Sequence, residues 1–329
     1  MLNQCPPLRL PPRRIISPLL PLVLIVLAGC ANRLEHSHLL HTAQLQLTYD
    51  AQRDRITSFG PTGGPNLLCV RDLETPPAAD GSYTFFGGMY SWISPQGAWV
   101  DGSGQLRDWP PDPAMDRGPT LIVNQGASRL VARGPVTRSG LVEQKWFELA
   151  AGQNAAIIDQ RLHNPTGGKV VGGVWVNTAV RPGAVIAVRD GSSDHFRISG
   201  GDAANTLWAR ATTSRDGWLL IHTDGVDWSD LGADSFKFFA DGPAAIAIWT
   251  DGYWLLRQGL TSHAEGALAE HGEAPVEVYV NYGLQLFEAE LLGPIQTIPP
   301  GGTCQHVERW LVVPADQPDP TLLDDLPNH

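Results

Sequence analysis

The chain has 329 residues, with 23 Lys and Arg against 34 Asp and Glu, a net charge of −11 at neutral pH. A surface of that sign repels phosphate backbones and anionic head groups and argues against nucleic acid as a partner. The length suffices for one large core, and 35 Gly with 27 Pro are more breakers than a helical protein carries.

Residues 1–29 read as an export signal. Arg9, Arg13 and Arg14 precede an apolar run from Ile15 to Leu27, which ends in Leu27-Ala28-Gly29-Cys30. The run is interrupted by Pro18 and Pro21 and falls short of the roughly 20 apolar residues of a spanning helix. Leu-Ala-Gly-Cys resembles a lipobox, which implies cleavage before Cys30 and lipidation of its thiol, with the membrane met through that anchor only; the alternative is a plain signal peptide with an incidental Cys. Ala31 stands where an inner-membrane retention signal has Asp, so the expected address is the outer membrane, facing the periplasm. Loss of residues 1–29 removes three basic and no acidic residues and takes the charge to −14.

Residues 30–43 then read as the lipidated Cys and a flexible tether, residues 44–315 as one β domain, and residues 316–329 as a tail. His36, His38 and His41 fall in the tether, where a solvated role outweighs a metal site. In an oxidising compartment Cys69 and Cys304 are candidates for a disulfide, or else two separate buried thiols.

From Gln44 onward, short runs rich in Val, Ile, Leu and Trp alternate with turn residues, the pattern of an all-β sandwich with very little helix. Gln44 to Tyr49 and Ile56 to Phe59 make an opening hairpin. Gly87 to Gly118 reads as a long Gly/Pro-rich loop carrying Trp92, Trp99 and Trp109. Strands are expected at 121–124, 128–133, 141–149, 155–164 and 170–180. Others are expected at 217–221, 235–239, 245–249, 253–256, 276–282, 286–291 and 304–313. One or two helical turns are expected only at His263 to His271.

Three pieces of sequence carry a resemblance. The C-terminal piece runs Y-V-N-Y-G-L-Q-L-F-E-A-E-L from Tyr279 to Leu291, then P-P-G-G-T at Pro299 to Thr303 and H-V-E-R-W at His306 to Trp310. The second is G-G-M-Y-S-W-I-S-P-Q from Gly87 to Gln96, with Trp109-Pro110 beyond; the third is Lys237-Phe238-Phe239 with the strand after it. Together they resemble domain of unknown function 4380, a bacterial family within the galactose-mutarotase-like superfamily. The resemblance implies an antiparallel two-sheet supersandwich and a carbohydrate partner.

In that superfamily a Glu on a late strand and a His on a mid-chain strand serve as base and acid. Glu290 matches the Glu by position, with Glu288 on the same face. The mid-chain strand reads Val174 to Val180 and offers Thr178 where the His should stand; His163, His195, His222 and His306 all lie elsewhere. A complete mutarotase site is therefore not expected. The expected role is sugar recognition, with Trp92 as stacking face, Lys237, Glu288, Glu308 and His306 as hydroxyl ligands, and Glu290 as the single candidate base. An epimerase-type enzyme and an assembly lipoprotein without a small-molecule site are the alternatives. Other readings stand beside these roles: Glu288 and Glu290 as the wet face of an edge strand, Glu308 with Arg309 as a cross-strand ion pair, and Lys237 laid over apolar surface. No nucleophile elbow, Cys-x-x-Cys, zinc helix or phosphate-binding loop occurs, so no cofactor and no metal are expected.

Overall fold

In a computed structural model the described residues are 36–71, 73, 83–106, 109–116, 118–189, 196–263 and 268–324. The expected export signal, Cys30 and His195 lie outside them. The fold is that of the unit His38–His329.

Among the described residues twenty strands follow in chain order: β1 (Ser37–His41), β2 (Leu45–Asp50), β3 (Arg55–Pro61), β4 (Met89–Ser94), β5 (Leu121–Gln125), β6 (Arg129–Val136), β7 (Val142–Leu149), β8 (Ala155–His163), β9 (Val170–Val180), β10 (Val185–Arg189), β11 (Phe196–Ser199), β12 (Thr212–Arg215), β13 (Trp218–His222), β14 (Ser235–Ala240), β15 (Ala245–Thr250), β16 (Tyr253–Gly259), β17 (Val276–Asn281), β18 (Leu286–Leu292), β19 (Gln296–Ile298) and β20 (Thr303–Pro314). They form two antiparallel sheets. The first runs β1-β2-β3-β4-β9-β18-β17-β14-β11, with β19 beside β9; the second runs β12-β13-β10-β15-β16-β20-β8-β7-β6-β5.

Side-chain alternation builds the sandwich. Val276, Val278 and Val280 on β17 and Ala289 and Leu291 on β18 pack against Ile186, Ile221, Ile246 and Ile248 of the second sheet, so these residues face inward. The intervening residues of β17 and β18, among them Glu277, Glu288 and Glu290, necessarily face outward. The outer face of the second sheet is covered differently. Trp218, Trp249 and Trp254 donate their indole N–H groups to the C-terminal segment, at Asp324, the Ala315 carbonyl and the Asp319 carbonyl.

Every strand expected from the sequence is present; β10, β11, β12 and β19 lie where no strand was expected, and the other differences concern segments read as something else. The expected tether contributes β1, which lies at the edge of the first sheet. The expected tail forms a short 3-10 turn at Pro320–Leu323, with Pro320 and Leu323 buried. The Gly87 to Gly118 loop contains β4, a central strand paired with β9. Of the expected helix at His263 to His271, residues 264–267 lie outside the described residues, and a 3-10 turn is present at Ala269–His271. The principal helix, α1 (Gly201–Ala211), lies instead where no helix was expected; it buries Ala204, Leu207 and Ala211 and stacks Trp208 on Phe238 at 4.7 Å. Cys69 and Cys304 are both buried as free thiols. They serve different sheets: the Cys69 N–H bonds the Ala179 carbonyl of β9, whereas Cys304 sits on β20 opposite Leu162. Burial pushes the Cys304 thiol up to about 11.

Candidate functional site

Strand register assembles a polar row on the outer face of the first sheet. Phe239 of β14 lies opposite Glu277 of β17, Glu277 opposite Glu290 of β18, Glu290 opposite Asn177 of β9, and Asn177 opposite Tyr90 of β4. The neighbouring row places Lys237 opposite Tyr279 and Tyr279 opposite Glu288. Five strands distant in sequence thus contribute to one surface.

Lys237 is the hub. Its Nζ lies 3.0 Å from Glu290 Oε2 and 2.6 Å from Glu277 Oε2, and 4.4 Å from the centroid of the Trp175 ring. Trp175 Nε1 donates to the same Glu290 Oε2 at 2.7 Å, so that oxygen accepts from an ammonium and an indole together. The backbone N–H of Ala274 donates to Glu277 Oε1 at 2.8 Å. Burial opposes the charge on Lys237, but the carboxylates of Glu290 and Glu277 outweigh it and raise its pKa. Burial pushes the Glu277 carboxyl well above the usual range, with Lys237 opposing and Glu290 and Glu273 adding to the rise. The Lys237 side chain keeps 19% exposure while those of Glu277 and Glu290 keep 0% and 1%, so of the three it is Lys237 that solvent reaches.

Beside the hub, the Tyr90 hydroxyl donates to Glu288 Oε1, and the Arg55 guanidinium lies over the Tyr90 ring at 4.8 Å. An aromatic array runs outward from Lys237. Trp175 meets Trp92 edge to face at 5.2 Å, and Trp92 meets Trp109 at 5.9 Å. Trp92 is 4% exposed and ringed by Tyr90, Trp99, Trp109 and Trp175, which leaves no ring face for a sugar. Its expected stacking role is thereby corrected, and Trp109, half exposed at 51%, is the accessible member of the array. Among the described residues, Trp92 Nε1 and Asn177 Oδ1 find no hydrogen-bond partner despite burial, an uncommon state for buried polar atoms.

Two further expectations fail on burial. Glu308 and His306 are fully buried on the inner face of β20, between the sheets, and not on the surface with Glu290. The Arg257 guanidinium, from β16, grips Glu308 with Nε to Oε2 and Nη2 to Oε1, each 2.9 Å, and donates from Nη1 to the Ala289 carbonyl. Trp310 Nε1 adds 2.7 Å to Glu308 Oε2, and His306 Nε2 lies 3.2 Å from Oε1. Although burial pushes the other way, Arg257 and His306 hold the Glu308 carboxyl down at about 2. Glu308 is thus paired with Arg257, and the group joins the two sheets.

The remaining candidates are quickly placed. Thr178 is buried with its Oγ1 unpartnered among the described residues. His163 and His222 make side-chain contacts with Thr303 and Thr213 at exposed positions. Sequence reasoning missed Glu277 and Tyr90, although Glu277 alternates with inward Val276 and Val278 and so had to share a face with Tyr279. No cluster of three metal-ligating side chains occurs among the described residues.

No curated protein matches the chain. Solved structures do. A galactose mutarotase-like protein from Lactobacillus casei has a TM-score of 0.55 at 8% identity, over 84% of this chain and 100% of that one. A candidate aldose 1-epimerase from Klebsiella pneumoniae has 0.55 at 11%, over 83% and 77%. The Slr1438 protein from Synechocystis has 0.53 at 12%, over 84% and 96%. At such identities the likeness shows the fold, a galactose-mutarotase-like sandwich, and not the chemistry. The model of domain of unknown function 4380 matches residues 41–313, and the chain belongs to that family.

Proposed function

We propose that this is a lipid-anchored envelope protein that recognises a carbohydrate on the outer face of its first sheet, around Lys237, Glu290 and Trp175. The observation that carries the reading is Lys237, whose ammonium is fixed between two buried carboxylates and whose side chain is partly open to solvent, continuous with an aromatic array that surfaces at Trp109. Ammonium and carboxylate oxygens bond hydroxyls, and an indole face packs on a pyranose; the fold is one in which neighbours carry sugar-related names. Cys30, within Leu-Ala-Gly-Cys, supports the anchor.

Recognition is favoured over turnover. A base must be free to take a proton, yet Glu290 Oε2 already accepts two hydrogen bonds, one from a cation. Thr178, at the position of the expected acid, is buried and cannot supply a proton near neutral pH.

Saturation-transfer NMR against aldoses, uronic acids and short glycans, with anomer exchange recorded in the same samples, tests the reading. Transfer to sugar protons that disappears in Lys237→Met, without faster anomer exchange, is the expected result. Accelerated exchange abolished by Glu290→Gln would make the protein an enzyme, and absence of transfer from every ligand would overturn carbohydrate recognition in favour of an assembly role.

A further inference from the structure

The edge opposite α1 combines features that the carbohydrate site does not use. From Arg117 to Val142 the sequence holds Arg117, Arg129, Arg133 and Arg138 and no acidic residue, in a chain whose net charge is −11. The β5–β6 hairpin built from this stretch is the edge of the second sheet. Arg129 and Arg133 are exposed on β6, and Leu121, opposite Arg133 in register, is 65% exposed. Val123 is 59% exposed in the bulge between Ile122 and Asn124. Glu148 lies opposite Arg129 on β7, whereas Arg133 faces uncharged Gln144.

β1 adjoins this edge. His38 Nδ1 lies 2.8 Å from Gln125 Oε1, the His41 N–H bonds the Ala127 carbonyl, and Leu39 is 54% exposed. Thus the first strand of the domain and the basic, apolar hairpin share one end of the molecule. Residues 31–36 alone separate Cys30 from β1. Fully extended they span about 20 Å. A lipid on Cys30 would therefore keep the start of β1 within about 20 Å of the bilayer.

We infer that the β1/β5–β6 edge is a membrane-docking face, on which Leu39, Leu121 and Val123 enter the interfacial region while Arg129 and Arg133 meet anionic head groups. The inference rests on lipidation of Cys30. Exposed apolar side chains beside arginines fit a lipid surface, whose negative potential attracts basic residues within a Debye length. A protein strand fits less well, because the bulge in β5 interrupts the hydrogen-bond ladder that edge pairing requires.

The test uses the full, lipidated chain in vesicles of phosphatidylethanolamine and phosphatidylglycerol containing spin-labelled lipid. A fluorophore is placed at Val123→Cys or at Asn205→Cys, an exposed position on α1 at the opposite edge of both sheets; native Cys69 and Cys304 are buried. Quenching several-fold stronger at position 123 than at 205, and reduced by Arg129→Glu with Arg133→Glu, is the expected result. Equal quenching at both positions, or none at 123, overturns the docking face while leaving the anchor intact. An intact mass without the diacylglycerol increment removes the anchor, and the docking face with it.

Discussion

Three groups of buried charge illustrate how position decides what a polar residue does. Lys237 keeps contact with solvent and is the group proposed to meet a ligand, whereas Glu308 and Glu143 are enclosed and act on stability. Breaking a buried pair leaves an uncompensated charge, so Glu308→Gln, which strands Arg257, should lower unfolding free energy by about 3 to 5 kcal/mol in denaturant titration. The second enclosed group joins β7 to the β2–β3 turn: Lys145 Nζ lies 2.9 Å from Asp54 Oδ1 and 3.2 Å from Glu143 Oε2, and Ser91 donates to Glu143. Burial, outweighing Lys145, lifts the Glu143 carboxyl from 4.5 to about 7. The two glutamates therefore respond oppositely to pH. Because the folded state binds the Glu143 proton more tightly, its contribution is complete below 4.5 and is lost as pH rises through about 7. Glu308, held at about 2, contributes above 4.5 and loses that contribution as pH falls through about 2. Denaturation midpoints measured across this range should decline less steeply towards neutral pH in Glu143→Gln than in the parent chain.

At the scale of elements, long strands such as β9 were legible even with both faces buried, whereas the short strands β1, β10, β11, β12 and β19, and β4 amid Gly and Pro, were not. β4 has every residue buried, including Ser91 and Ser94, so it shows no alternation and was read as loop amid Gly and Pro. α1 carried a usable signal in Ala204, Leu207, Trp208 and Ala211, spaced i, i+3, i+4 and i+7, but its Gly start and short length obscured it. β4 enters the sheet through Gly88, whose φ is +77° and whose added Cβ would lie 2.3 Å from the Ile56 carbonyl oxygen. Gly88→Ala should cost more than about 1 kcal/mol and displace the Trp92 cluster, which near-ultraviolet circular dichroism would register as loss of tryptophan signal. An unchanged near-ultraviolet spectrum would contradict this role for β4.

For the whole molecule, the supersandwich was legible because strand count, turn spacing and motif resemblance agreed. The site was only half legible. Alternation placed Glu288 and Glu290 together on one face, but their partners come from β4, β9, β14 and β17, and register alone brings those together. His306 and Glu308 were misassigned for the converse reason: a long strand of the second sheet buries them on its inner side, where Arg257 from β16 compensates the charge. This difference supplies the most direct measurement of the central claim. Trp175 and Trp310 each donate an indole N–H to a glutamate, the first to Glu290 on the outer face and the second to Glu308 between the sheets. In 15N-detected spectra assigned with Trp→Phe variants, titration with a sugar that gives saturation transfer should shift the Trp175 indole resonance and leave that of Trp310 in place. A sugar that binds without moving the Trp175 resonance would contradict the assignment of the Lys237, Glu290 and Trp175 face as the recognition site.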